Sequence, residues 1–210
     1  MASNLKDKNR LALAGLMGAP LLIIFVLQVG LDEARTALDF LIAAGVASVA
    51  TSVLVMLSDF PPQSIKHKLV FFRLWNELPG HRCDKICFSD SRLDKKELLS
   101  DWPDVFGRDV ATGARNMMWY KHIYKPVMND PAVQSSHQKF LLYRDAAAGS
   151  FMVLMIMAVW AYSGFYAPHL GLLHSWAIAI EIAFLLIMVA SAKTHGNRMV
   201  VNATVSRSYA

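Results

Sequence analysis

The chain has 210 residues, 55% of them apolar, with a mean hydropathy of +0.35 and a net charge of +5. Its charges gather in the middle and at the two ends, and long stretches between carry almost none, which excludes an ordinary soluble domain. The two cysteines, Cys83 and Cys87, lie in the charged middle segment and are expected to be reduced thiols.

The first apolar run is Leu11 to Leu31, LALAGLMGAPLLIIFVLQVGL, preceded by Lys6, Lys8 and Arg10. It exceeds the apolar stretch of a cleaved leader and ends without a small-x-small site, so a retained membrane span is expected. Ala14 with Gly18 and Gly15 with Ala19 place small residues four apart, where a second helix can approach closely. Pro20 removes one backbone hydrogen bond from that helix. A second run, Phe40 to Leu57, repeats the small-residue theme at Ala43, Ala47 and Thr51 and at Ala44 and Ser48. Both runs approach the roughly 20 residues that cross a hydrocarbon core of about 30 Å.

Pro61 and Pro62 end the second run, and a helical pattern then extends from Ile65 to Trp75 until Pro79-Gly80. Ser91 reads as the cap of a following helix, with Asp94 three residues in and Pro103 at its end. A third helical stretch is expected from Val105 to Tyr124. Asp130-Pro131 is a cap followed by proline at the first helical position. Nothing beyond it breaks a helix before Gly149, so one helix is expected to run from the charged segment straight into a third apolar run, Ala146 to Phe165. The fourth run, Trp176 to Ala192, is interrupted only by Glu181.

The fold class expected is an all-α integral membrane protein. It has four spans in two hairpins: residues 1–58 and 146–192, a helical domain at 59–145, and a tail at 193–210. Lys and Arg flank the runs at both termini and in the middle, whereas the first hairpin loop holds only Arg35 and the second none. By the positive-inside rule both termini and the central domain are cytoplasmic.

Three constellations bear on chemistry. His81, Cys83 and Cys87 fall within seven residues, but a structural zinc needs a fourth ligand, so the alternatives are a metal or thiol site and two buried thiols beside a surface histidine. Glu181 lies inside a span, where a carboxylate usually faces a bundle interior or a wet path; a pore role, with His169 and His174 near it, stands against partial hydration at the interface. Basic and aromatic residues interleave at Phe71-Phe72-Arg73-Leu74-Trp75 and from Arg115 to Lys125. Arg115, Trp119, Lys121, Tyr124 and Lys125 are candidates for binding a nucleotide or oligonucleotide, with core packing and a solvated face as the alternative. No nucleotide-loop, hydrolase or zinc-protease motif occurs, and no enzyme or cofactor is expected.

Two hairpins bracketing a small helical cytoplasmic domain, without an enzyme motif, resemble the compact membrane effectors of bacterial antiviral defence, most of all the HalA-type effectors of the Hailong system. The resemblance covers the whole chain as layout, length and charge, and it assigns no residue. It implies a homo-oligomeric ion channel in the bacterial inner membrane. A single-stranded oligodeoxyadenylate made by a partner nucleotidyltransferase would hold it shut. A membrane scaffold or sensor subunit that recruits a cytoplasmic partner is the other reading the sequence permits.

Overall fold

The computed structural model describes residues 7–43, 47–167 and 170–209, and it is all-helical, with no strand among the described residues. Lys6, Ala44 and His169, named above, lie outside the described residues. The helices are α1 (Arg10–Val29), α2 (Leu31–Ala43), α3 (Ala47–Asp59), α4 (Gln63–Phe71), α5 (Cys83–Cys87), α6 (Lys95–Asp101), α7 (Pro103–Phe106), α8 (Thr112–Trp119), α9 (Lys125–Val127), α10 (Pro131–Ser163) and α11 (Ala177–Ser208).

Three of them, α1, α10 and α11, are long and apolar enough to cross a membrane. The second predicted span, Phe40–Leu57, corresponds to the end of α2, residues 44–46 outside the described set, and α3. Its longer described part, α3, has 13 residues, about 20 Å at about 1.5 Å per residue, and is not among the candidate spanning helices found in the described residues. The chain is therefore a membrane protein with three candidate spanning helices.

The residues cluster into two compact units, Met1–Lys66 with Leu142–Val189, and His67–Leu141 with Ala190–Ala210. In the first unit Ile24, Val153, Met157 and Ala177 form an apolar core with Leu21, Leu57, Leu173, Ile178 and Ile180 packed on it. Helix α10 approaches α1 and α3 closely at Gly149. A Cβ there would collide with the Met17 thioether and come within 3.3 Å of Ser58 Cβ. Gln28, near the end of α1, ties down the loop before α11: its amide donates to the Leu170 and Leu172 carbonyls at 2.5 and 2.6 Å and accepts from the His174 N–H at 2.8 Å.

The second unit is built on Cys83, Cys87, Leu98, Val105, Phe106, Trp119, Ile123, Tyr124, Val127, Val133, Met199, Val200 and Ala203. Residues 193–210, read from sequence as a tail, are helical to Ser208, and Met199, Val200 and Ala203 carry part of this core. The helix expected over Ile65–Trp75 stops at Phe71, because Phe72 takes the left-handed φ of 50°. Asp94, expected inside the next helix, is its cap and accepts from the Lys96 and Glu97 N–H groups at 2.6 and 3.1 Å. Pro103 opens α7 instead of merely ending α6.

The stretch expected as one helix over Val105–Tyr124 is α7, a turn and α8, followed by a wider π turn at Tyr120–Tyr124. Pro126 explains the widening. It has no N–H to offer the His122 carbonyl, and its ring would crowd that oxygen in a regular helix. Arg207 Nε donates to the His122 carbonyl at 3.3 Å in its place. Asp130 caps α10 as read, accepting from the Ala132 N–H at 2.8 Å, and Ser206 donates to its other oxygen at 3.0 Å. These bonds hold the Asp130 carboxyl below the usual carboxylate range, the Ala132 bond foremost.

Candidate functional site

Glu181 sits on the second turn of α11 and is 1% exposed. Ser150, on α10 within the apolar stretch, donates its hydroxyl to Glu181 Oε1. The other oxygen, Oε2, is buried and has no hydrogen-bond partner among the described residues. A carboxyl oxygen left unpaired in an apolar layer is costly, and such a group ordinarily persists for a role beyond packing. The sequence marked Glu181. It gave no signal for Ser150, which is a lone hydroxyl in an Ala-Gly-Ser run.

Further along the same unit, Lys66 and Arg144 converge on Asp145. Lys66 Nζ lies 3.0 Å from Asp145 Oδ1, and Arg144 reaches the same oxygen through Nε at 3.0 Å and Nη2 at 2.8 Å. Asp59 adds a second carboxylate 3.6 Å from Lys66. Lys66, Arg144 and Asp145 are all buried. Two cations sharing two anions are nearly neutral together, so this cluster survives burial only while its members stay in register. In the sequence Lys66 and Arg144 are no more than positive charge flanking apolar runs.

The residues expected to bind a nucleotide do not assemble on one accessible face. Arg115, Trp119 and Tyr124 are buried, whereas Lys121 and Lys125 are exposed. Arg115 pairs with Asp84 at 2.8 Å and donates to the Gly107 and Val110 carbonyls at 2.9 and 3.1 Å. Tyr124 shares a 2.7 Å hydrogen bond with His137 Nδ1 and packs at 5.6 Å between ring centroids against Trp119. Burial raises the Tyr124 hydroxyl above its usual value. These three side chains hold the second unit together, and only the two lysines of that set face solvent.

A more accessible polar surface in the same unit is a groove of about 470 Å³ between the start of α10 and the end of α11, lined by Arg92, Asp130, Ala132, Asn202, Ser206 and Tyr209. Tyr209 is 78% exposed there. Arg92 forks onto Asp90 at 2.9 and 3.1 Å and also reaches Asn202 Oδ1 at 3.5 Å.

Comparison with protein-family models, with curated proteins and with solved structures returns no match. Cys83 and Cys87 are fully buried, and Cys87 donates to Thr204 Oγ1 at 3.3 Å. Burial pushes the Cys87 thiol up to about 12 and the Cys83 thiol higher still. His81 bonds the Thr112 carbonyl at 2.8 Å. No group of three or more His, Cys, Asp or Glu residues able to hold a metal occurs among the described residues.

Proposed function

We propose that this chain is a multi-pass effector of the bacterial inner membrane that assembles into an ion-conducting oligomer gated through its cytoplasmic unit. The observation that supports it best is that the division between the two units falls inside two unbroken helices, α10 and α11. At 33 and 32 residues each is about 50 Å long, well beyond a hydrocarbon core of about 30 Å. The apolar part of each belongs to the membrane unit and carries the Ser150–Glu181 pair. The polar part of each belongs to the other unit. A rearrangement that shifts either helix lengthwise moves both ends together, so a ligand preferring one arrangement biases the membrane end by its differential affinity.

In this proposal α3 with its flanks completes a fourth pass, and the positive flanks set both termini in the cytoplasm. Three or four helices are too few to surround a water-filled path, so conduction requires symmetric assembly. Gly15 of α1 is exposed, with open space where a side chain would stand, and suits a helix contact between copies. Glu181, buried within the subunit beside Ser150, becomes the polar point of the ion path when the helices rearrange.

The controlling ligand is a nucleotide or single-stranded oligonucleotide, the class to which the layout's resemblance to Hailong-type effectors points. Its site is the groove bridging the first turn of α10 and the last turns of α11, where the Tyr209 ring offers a stacking face and Arg92, on leaving Asp90, a phosphate contact. A ligand there touches both long helices at once. This replaces the buried Arg115, Trp119 and Tyr124 as the binding surface and leaves Lys121 and Lys125 as peripheral charge.

The test is membrane potential in bacteria expressing the chain, followed with a potential-sensitive dye. Wild type is expected to depolarise the cells, and Glu181→Ala to change the extent. Equal depolarisation by wild type and Glu181→Ala removes Glu181 from the path. Polarisation indistinguishable from empty-vector cells, with protein present in the membrane, removes the channel.

A further inference from the structure

The segment after α4 carries an apolar surface that neither the channel nor its control uses. Phe72, Leu74 and Trp75 are 71%, 65% and 79% exposed, whereas the preceding Phe71 is buried. The backbone enforces the split. Phe72 and Asn76 both adopt a left-handed φ of 50°, an unfavourable setting for a bulky aromatic residue, and they bracket the turn that projects Arg73, Leu74 and Trp75 outward. Strain spent to expose two aromatic rings and a leucine calls for something that covers them.

The surrounding charge says what. Between Lys68 and Arg82 the chain holds Lys68, Arg73 and Arg82 against the single acid Glu77. Arg82 lies over the Phe71 ring, 5.4 Å from its centroid, and its Nη1 is buried with no hydrogen-bond partner among the described residues. Burial first, and then the nearby positive charge of Arg73, hold the Arg82 guanidinium below its usual value. The exposed Arg73, with the half-buried Arg82 in the same segment, offers positive charge to a phosphate. Aromatic and leucine side chains beside arginine suit the boundary between headgroups and acyl chains. Supply is local, because the segment belongs to a membrane-spanning chain and Phe72 follows by thirteen residues the end of α3 at Asp59.

We infer that the Phe72–Trp75 turn is a membrane-interface anchor that inserts Phe72, Leu74 and Trp75 among the lipids while Arg73 and Arg82 engage anionic headgroup phosphates. This contact is independent of whether the protein conducts ions.

The test places a nitroxide label at Leu74→Cys in the full-length protein. Cys83 and Cys87 are fully buried and their thiols are pushed far up, so they stay unlabelled at neutral pH. In nanodiscs of phosphatidylcholine with phosphatidylglycerol, the label is expected to collide more with oxygen, which concentrates in the bilayer, than with an aqueous nickel chelate. Adding Arg73→Gln is expected to shift the inserted-to-free ratio about fivefold towards the free state, and a label at Trp75→Cys should repeat the pattern. Full access to the nickel chelate in anionic nanodiscs overturns the proposal. Shielding from both agents overturns it equally, since that is the signature of a second copy or another protein covering the turn.

Discussion

Arg115 separates a core role from a ligand-binding role most sharply. Arg115→Met removes the 2.8 Å pair with Asp84 and both donations to the Gly107 and Val110 carbonyls. It leaves a carboxylate whose other oxygen, Oδ1, already lacks a partner. Removing one member of a buried ion pair costs about 3–5 kcal/mol. The Asp84 side chain keeps 18% exposure, which places the loss near the lower end, about 3 kcal/mol. For a unit of this size that corresponds to a fall in Tm on the order of 10–20 °C. Arg115→Lys keeps the charge but lacks the planar fork that serves a carboxylate and two carbonyls together, and it should recover part of the loss. The assay is thermal unfolding of the full chain in mild detergent, followed by circular dichroism. Lys121→Ala and Lys125→Ala, on exposed positions, should leave Tm unchanged. An Arg115→Met protein that unfolds at the wild-type temperature would refute the structural role.

Gly149→Val should destabilise the membrane unit by about 1–3 kcal/mol through overpacking, with Met17→Ala relieving part of it; unfolding in detergent measures both. Gln28→Ala should free the loop before α11, seen as faster hydrogen exchange at the His174 amide with little change in helix content. The thiols give a pH signature: Cys87 is raised from about 9 to about 12 by burial, so the unfolded chain loses its proton first. Stability is then full below pH 9 and falls as pH rises towards 12, and a Cys87→Ala variant should flatten that slope in unfolding curves. The same burial should keep both thiols unreactive to a maleimide at pH 7 until the protein unfolds.

Much of the architecture is legible in the sequence because it rests on local chemistry. Asp130-Pro131 sets the start of α10, and the lack of any helix breaker before Gly149 makes that helix continuous into the apolar layer. Its partner was harder to read. Lys193, His195 and Arg198 end the apolar run of α11 and suggest a tail, yet Met199, Val200 and Ala203 keep a buried face on the same helix. One-sided burial leaves no uninterrupted hydrophobic signal, so the change from lipid-facing to amphipathic helix looks like an ending. The second predicted span reads as one span by composition; its residues 44–46 lie outside the described residues, and it is not among the three candidate spanning helices.

Sites were less legible than helices, because partnership depends on residues distant in sequence. Arg115 looks like a ligand contact among Trp119, Lys121, Tyr124 and Lys125 until Asp84, 31 positions earlier, is placed beside it. Ser150 gives no hint of Glu181, nor Lys66 of Asp145 79 positions on. Glu181 itself was readable, since a lone carboxylate in an apolar run is conspicuous whatever surrounds it.

The most direct measurement is ion flux from sealed vesicles containing the purified full-length chain, read with an entrapped potassium-sensitive dye, before and after adding a single-stranded oligodeoxyadenylate. A gated channel is expected to leak potassium when alone, to leak differently as Glu181→Ala, and to close when the oligonucleotide is added to wild type but not to an Arg92→Ala, Tyr209→Ala variant. Vesicles with wild-type protein that stay as tight as protein-free vesicles, with and without the oligonucleotide, would contradict the proposed function.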